Sequence, residues 1–235
     1  MSEAQRIRYC FDLPDGSQRS LDFTFDAADF RLNNPPPAAP PFWTELKFNQ
    51  CANCPLDSAE HPHCPAALQM ASAIEPLNAL VSFDTVGVTV TQAERAIYAL
   101  TTAQQAMSSV LGLIMATAGC PWTARFRPMA RFHLPFATEI ETVYRSVSMF
   151  LLAREMAGDV DGRGFVALET LYRNLHVVNR DMSRRLGAAT RADPARNAMA
   201  LLDAYTTLLP AALESSLAEL KPLFDAWVSA ATAAI

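Results

Sequence analysis

The sequence predicts an α+β protein, mainly an α-helical bundle that carries a small N-terminal antiparallel β-hairpin or sheet. Three patterns support this class. Two runs of alternating apolar and polar residues open the chain, a further strand-like run follows near residue 85, and apolar stripes with helical spacing occupy most of the remainder. With 235 residues, 51% of them apolar and 18% charged, the chain is long and apolar enough to bury a core.

The N-terminal hairpin is predicted from period-two alternation on both sides of a Pro-Asp-Gly-Ser turn. Its apolar positions are Ile7, Tyr9, Phe11, Leu13, Leu21, Phe23 and Phe25. Cys10 falls on the opposite face, which separates it from the core. The prolines that follow favour an extended connector. We therefore expect a hairpin over residues 1–32, a proline-rich connector over 33–41 and a helical body over 42–235, together forming one compact domain.

The first part of the body is predicted to hold two helices with a strand between them. Cys64 and Pro65 suit the N-cap and first position of a helix that runs to about Leu80. The run VSFDTVGVTVT alternates as a strand does. From Gln92 to Ala118 we expect a buried helix ended by Gly119, because the polar residues near its middle do not suit a membrane span.

The later helices are predicted from start signals and apolar stripes. Thr138 and Glu141 have the spacing of a capping box, and Asp193 followed by Pro194 starts another helix. The sequence DVDGRG predicts a turn. The apolar stripe of the helix after it contains Leu168, Leu171, Leu175, Val178, Met182 and Leu186. A basic set on and after that helix reads as a solvated face, and it contains Arg180, Arg184, Arg185, Arg191 and Arg196.

Composition and charge exclude several functional classes. A net charge of -5 argues against nucleic-acid binding, which depends on many basic residues. The N-terminus mixes charges and has no apolar run typical of a signal peptide. We therefore expect a cytoplasmic protein that binds neither nucleic acid nor membrane and has a protein partner.

A cluster of soft ligands in CANCPLDSAEHPHCP suggests a metal centre. Cys51 and Cys54 have C-x2-C spacing, and Cys64 lies at a helix start, where the helix dipole would lower its thiol pKa. Cys120 shares with Cys54 and Cys64 a proline at the next position, so it is the preferred fourth ligand; His61 and His63 are the alternatives. A 4Fe–4S cluster is preferred over Zn²⁺, and free buried thiols are the remaining alternative.

The arginine-rich stretch beside Cys120 suggests residues that support such a centre. Arg127 and Arg131 could offset its negative charge, and His133 could donate a hydrogen bond to it. Alternatively, the arginines pair with acids and His133 is a packing residue. A pocket lined by Arg127, His133, Glu141 and Tyr144 would allow acid–base chemistry.

Three segments resemble an uncharacterised proteobacterial protein family. They are FNQCANCPLDSAEHPHCP, LGLIMATAGCPWTARFRPMARFHLPFATEIETVYR and the opening hairpin, and the resemblance covers nearly the whole chain. It implies family cysteines at the positions of Cys51, Cys54, Cys64 and Cys120, together with the segments Arg127 to Met129 and His133 to Phe136. It also implies a bacterial cytoplasmic origin, but no substrate.

The functional hypothesis from sequence is a cytoplasmic metalloprotein that acts as a sensor or interaction module. One alternative is a redox or acid–base enzyme that uses the metal centre or the region of Arg127, His133 and Glu141. The other is an interaction protein without metal.

Overall fold

The computed structural model describes residues 4–159, 165–189 and 193–226. It confirms the α+β class. The strands are β1 (Gln5–Asp12), β2 (Gln18–Phe25), β3 (Thr85–Thr91) and β4 (Ala96–Thr102). The helices are α1 (Pro65–Ile74), α2 (Ala103–Thr117), α3 (Arg127–Arg131), α4 (Glu139–Met156), α5 (Val166–Ala189) and α6 (Asp193–Leu220).

The four strands form one antiparallel sheet in the order β2-β1-β3-β4. The predicted hairpin is confirmed, with Tyr9 opposite Leu21 and with the alternating apolar residues of β1 buried on one face. Cys10 lies on the other face, opposite Ser20 and Thr89. Because β1 also pairs with β3, the hairpin and the body share this sheet. The domain boundaries at 32 and 41 stay predictions.

The helix predicted from Gln92 to Ala118 is wrong over its first part. Residues 96–102 form β4, which pairs along its whole length with β3. Helical spacing placed Leu100 on the buried face, but in the strand its side chain is 69% exposed. Thr102 then caps α2 by accepting a hydrogen bond from Gln105 N. Gly119, with φ of +97°, ends this region as predicted.

The helix start signals are confirmed. Cys64 is the N-cap of α1 and Pro65 is its first residue, although α1 ends at Ile74 and the chain continues as a 3-10 turn. The capping box of α4 is complete: Glu141 N donates to Thr138 Oγ1, and Thr138 N donates to the Glu141 carboxylate at 2.7 Å. α6 begins at Asp193. The DVDGRG turn falls almost wholly outside the described residues.

The long helices pack around α6, which contacts α2, α4 and α5. The predicted stripe of α5 faces the core. Its buried members are Leu168, Leu175, Val178, Met182 and Leu186. Within the described ranges, every helix is too short or too polar to cross a membrane.

Candidate functional site

The cysteines pack as small apolar side chains rather than as ligands. Cys64 is buried at the start of α1, and Cys51, Cys54 and Cys120 pack against the same core. Burial raises the pKa of Cys51 to about 12, and the neighbouring Cys64, Cys120 and Cys54 add to this rise. Burial also raises the pKa of Cys64, because it outweighs the helix N–H groups of Ala67 and Ala66 that favour the thiolate. These environments favour neutral thiols.

The predicted metal centre is wrong. Among the described residues, no group of three or more histidine, cysteine, aspartate or glutamate side chains is placed to hold a metal ion. This finding removes the 4Fe–4S cluster and Zn²⁺ as expected cofactors, and with them the metalloprotein function. C-x2-C spacing brings two cysteines into one turn, in which Cys54 N donates to Cys51 O, but such a turn does not by itself make a metal site.

The alternative ligands are not gathered into a site either. His63 Nδ1 lies 2.9 Å from Thr44 Oγ1, and its main chain forms a bridge with Glu45. His61 is exposed in the loop before it. His63 therefore helps to hold the loop that precedes α1.

The arginine-rich stretch has separate partners. Arg127 lies 3.6 Å from the Asp29 carboxylate, and Arg131 lies over the rings of Phe30 and Phe132. These contacts match the alternative in which the arginines serve packing and pairing. Because the described residues contain no metal ligand set, neither Arg127 nor Arg131 lies beside a metal centre.

His133 is a buried member of a hydrogen-bonded group. Its Nε2 lies 2.5 Å from the Tyr9 hydroxyl, which is 2.8 Å from Ser109 Oγ, and its carbonyl accepts from Gln92 Nε2. Burial lowers the pKa of His133 to about 3, and the charge of Arg145 adds to this effect. The imidazole is therefore neutral at physiological pH.

The predicted acid–base pocket is not assembled as proposed. The Glu141 carboxylate accepts from Thr138 in the capping box, and Tyr144 packs near Phe224. His133 lines the cavity described below, whereas Arg127, Glu141 and Tyr144 are not among its lining residues.

A cavity of about 530 Å³ lies between β4 and the helices α2 to α6. Its volume is typical of a small-molecule site, for which about 300–1,000 Å³ is usual. Most of its lining is apolar. The apolar residues that line it are Ala99, Leu100, Gly112, Leu113, Met115, Ala116, Phe126, Met129, Ala130, Leu134, Phe136, Ala137, Leu175, Leu201 and Leu202. We call it the Arg145 cavity.

Arg145 is the one charged residue among the described residues that line this cavity, and no carboxylate lines it. Its guanidinium donates to the carbonyls of Met129 (2.6 Å) and Phe132 (3.0 Å). No acid of the described chain lies within ion-pair distance of it. Burial lowers the pKa of Arg145, partly offset by Glu141 one turn earlier, but an arginine remains protonated. The cavity therefore carries an oriented positive charge.

Asn179 supplies a second polar group on the cavity wall. It is only 6% exposed, and it lies on the cavity wall. An amide there can donate or accept a hydrogen bond.

The comparisons with known proteins identify the family. The model of a family described as a domain of unknown function, DUF6901, matches residues 7–225. The chain belongs to this family. No curated protein and no solved structure matches it.

Sequence reasoning did not single out the cavity of this DUF6901 protein or the polar residues that line it. Arg145 and Asn179 lie on different helices, and no local motif marks either as a lining residue. The available signal was the apolar face of α2, whose Leu113 and Ala116 line the cavity. Arg185, predicted to be solvated, is 1% exposed.

Proposed function

We propose that this DUF6901 protein binds a small amphipathic molecule with an apolar body and an anionic head group, such as a medium-chain carboxylate. One observation carries the proposal: the single charge on the wall of a largely apolar cavity is an arginine without an acidic partner in the described chain. A cation at such a site favours an anion and disfavours a cation.

The position of Arg145 supports recognition of a carboxylate. Two main-chain carbonyls hold the guanidinium in place without neutralising it. Because the carbonyls engage one terminal nitrogen, Nη2, other N–H groups are left to donate to a ligand. A charge-assisted hydrogen bond formed there would be partly shielded from water by the surrounding helices.

The remaining wall suits the body of such a ligand. Leu113, Ala130 and Leu175 are each nearly fully buried and form part of an apolar lining. Transfer of an alkyl chain from water to this surface would be favourable by about 0.8 kcal/mol for each buried methylene group. Asn179 offers a hydrogen bond to a polar substituent.

Calorimetric titration of decanoate into the protein tests the role of the charge. The Arg145→Gln variant should bind decanoate at least about tenfold more weakly, because it loses a charge-assisted contact. Arg154→Gln is the matched control: Arg154 lies on the same helix, pairs with Asp159 and does not line the cavity. Equal affinities of wild type and Arg145→Gln would contradict the proposal.

A second variant tests the location without removing charge. A Cβ built at Gly112 meets only Leu202, at 3.7 Å, so a larger side chain has room to enter the cavity. Gly112→Leu should abolish decanoate binding while the variant stays folded by circular dichroism. Unchanged binding would place the ligand elsewhere.

The proposal also covers where the protein is located, what it does not bind and which residues its family shares. Five free thiols support a reducing compartment, and so a cytoplasmic location. The net charge of -5 supports the absence of nucleic acid among its ligands. We also propose that members of this family share the four cysteines and a proteobacterial origin, as the sequence resemblance implies.

A further inference from the structure

Strand β4 is an edge of the sheet, and the hydrogen-bond pattern shows which of its main-chain groups face outward. Gln92 N donates to Arg95 O at one end of the β3–β4 ladder, and Ala103 N donates to Asp84 O at the other. Antiparallel ladders alternate between bonded and non-bonded pairs. The residues whose N–H and C=O groups point away from β3 are therefore Ala96, Tyr98, Leu100 and Thr102.

These outward groups have no hydrogen-bond partner in the part of the chain that the structure describes. The opposite edge differs. There, Thr24 O accepts from Asn33 N, Thr24 N donates to Asn34 Oδ1, and the Asn34 amide donates to Asp22 O. A following segment thus covers part of the β2 edge, whereas no described segment bonds to the β4 edge.

The side chains of β4 add to this contrast. The strand contains no charged residue and no proline, and Tyr98 and Leu100 are 63% and 69% exposed on the outer face. Natural proteins usually protect an edge with charge, proline or a covering segment. A neutral, apolar, unprotected edge is a template for another strand.

We infer that β4 pairs with β4 of a second copy of this chain, antiparallel and centred on Ala99. In this register all four outward-facing residues find partners: residue 96 lies opposite 102, and residue 98 lies opposite 100. Each such pair exchanges two hydrogen bonds. Tyr98 of each copy is directly opposite Leu100 of the other, so both exposed positions belong to the interface, although the Tyr98 hydroxyl lies over Gly87 of β3.

This register, in which each outward-facing residue meets another outward-facing residue of the same strand, supports a second copy of the chain as the partner. Shifting the register by two residues leaves one or more outward-facing residues unpaired. Because the strand is neutral, a two-fold axis through it brings no like charges together. Two-fold dimers are also the commonest symmetric assembly. The inference does not depend on which ligand the Arg145 cavity binds, although Leu100 also lines that cavity.

Sedimentation velocity on the full chain, over a range of micromolar concentrations, tests the inference. The wild type should form dimers. A variant carrying Tyr98→Lys and Leu100→Lys places lysine opposite lysine at each cross-strand pair, and it should be monomeric. A variant carrying Tyr98→Lys and Leu100→Glu places opposite charges there, and it should dimerise roughly tenfold more tightly than the double-lysine variant.

Both double variants lose the same apolar surface, because each replaces the same two exposed residues with charged ones. A difference between them therefore reports the proposed register and not the loss of apolar surface. Phe83→Lys, at a 77% exposed position outside the strand, is the control and should leave the dimer unchanged. Monomeric wild type throughout the range, or equal behaviour of the two double variants, would overturn the inference.

Discussion

Replacing Arg185 with methionine should lower the free energy of unfolding by about 2–4 kcal/mol, because buried carbonyls lose their donor. The Arg185 guanidinium is buried and donates to three main-chain carbonyls, those of Trp43 (2.6 Å), Glu45 (2.6 Å) and Leu46 (3.1 Å). Methionine fills similar space but leaves the Trp43 and Leu46 carbonyls without a donor, whereas Glu45 O keeps its bond from Phe48 N at 3.1 Å. An unsatisfied buried polar group costs about 1–3 kcal/mol.

The expected loss reflects the place of Arg185 in the fold. It ties α5 to a segment about 140 residues earlier that has little regular structure of its own. Urea unfolding followed by circular dichroism measures the change. Arg184→Met is the matched control, because the Arg184 side chain is 66% exposed and its pair with Asp181 is of a kind worth about 0–1 kcal/mol. Similar losses in the two variants would show that the buried carbonyls do not depend on Arg185.

Acidification from pH 6 to pH 4 should destabilise the wild type by about 2–3 kcal/mol more than the His133→Gln variant. Burial lowers the pKa of His133 from its ordinary 6.5 to about 3, so the folded protein holds it neutral over this range. The unfolded chain takes up the proton as the pH falls below 6.5. Protonation therefore favours unfolding, and stability is lost as the pH decreases toward 3.

Glutamine is chosen because it can still hydrogen-bond to the Tyr9 hydroxyl, now 2.5 Å from the imidazole. Chemical denaturation at several pH values gives the two stability curves. His61→Gln is the control, since it makes the same substitution at an exposed histidine. Parallel curves for wild type and His133→Gln would contradict a buried neutral imidazole.

Features encoded by neighbouring residues could be predicted from the sequence. The alternation of β1, the capping box of Thr138 and Glu141, and the stripe of α5 are local patterns with one favourable structure. β4 was mistaken for helix because its alanines and threonines give a weak alternation. Its conformation is decided by pairing with β3, and local helical periodicity gives no information about that pairing.

The site could not be predicted because it depends on tertiary placement. Sequence spacing placed Cys51 and Cys54 in one turn, but it could not show that both would be partly buried against the core. Arg185 looked solvated because its acceptors are main-chain carbonyls far away in the chain. Arg145 becomes a candidate ligand-binding residue only because apolar residues of other elements surround it in the folded protein.

The most direct test of the proposed function is to measure whether the cavity prefers an anionic, a neutral or a cationic ligand. Calorimetry on the wild type would compare three ligands with the same ten-carbon chain: decanoate, decanol and decyltrimethylammonium. With Arg145 as the one charged residue of the described lining, decanoate should bind most tightly, decanol about tenfold more weakly and the cation weakest. Binding of the cation as tight as that of decanoate would contradict the account.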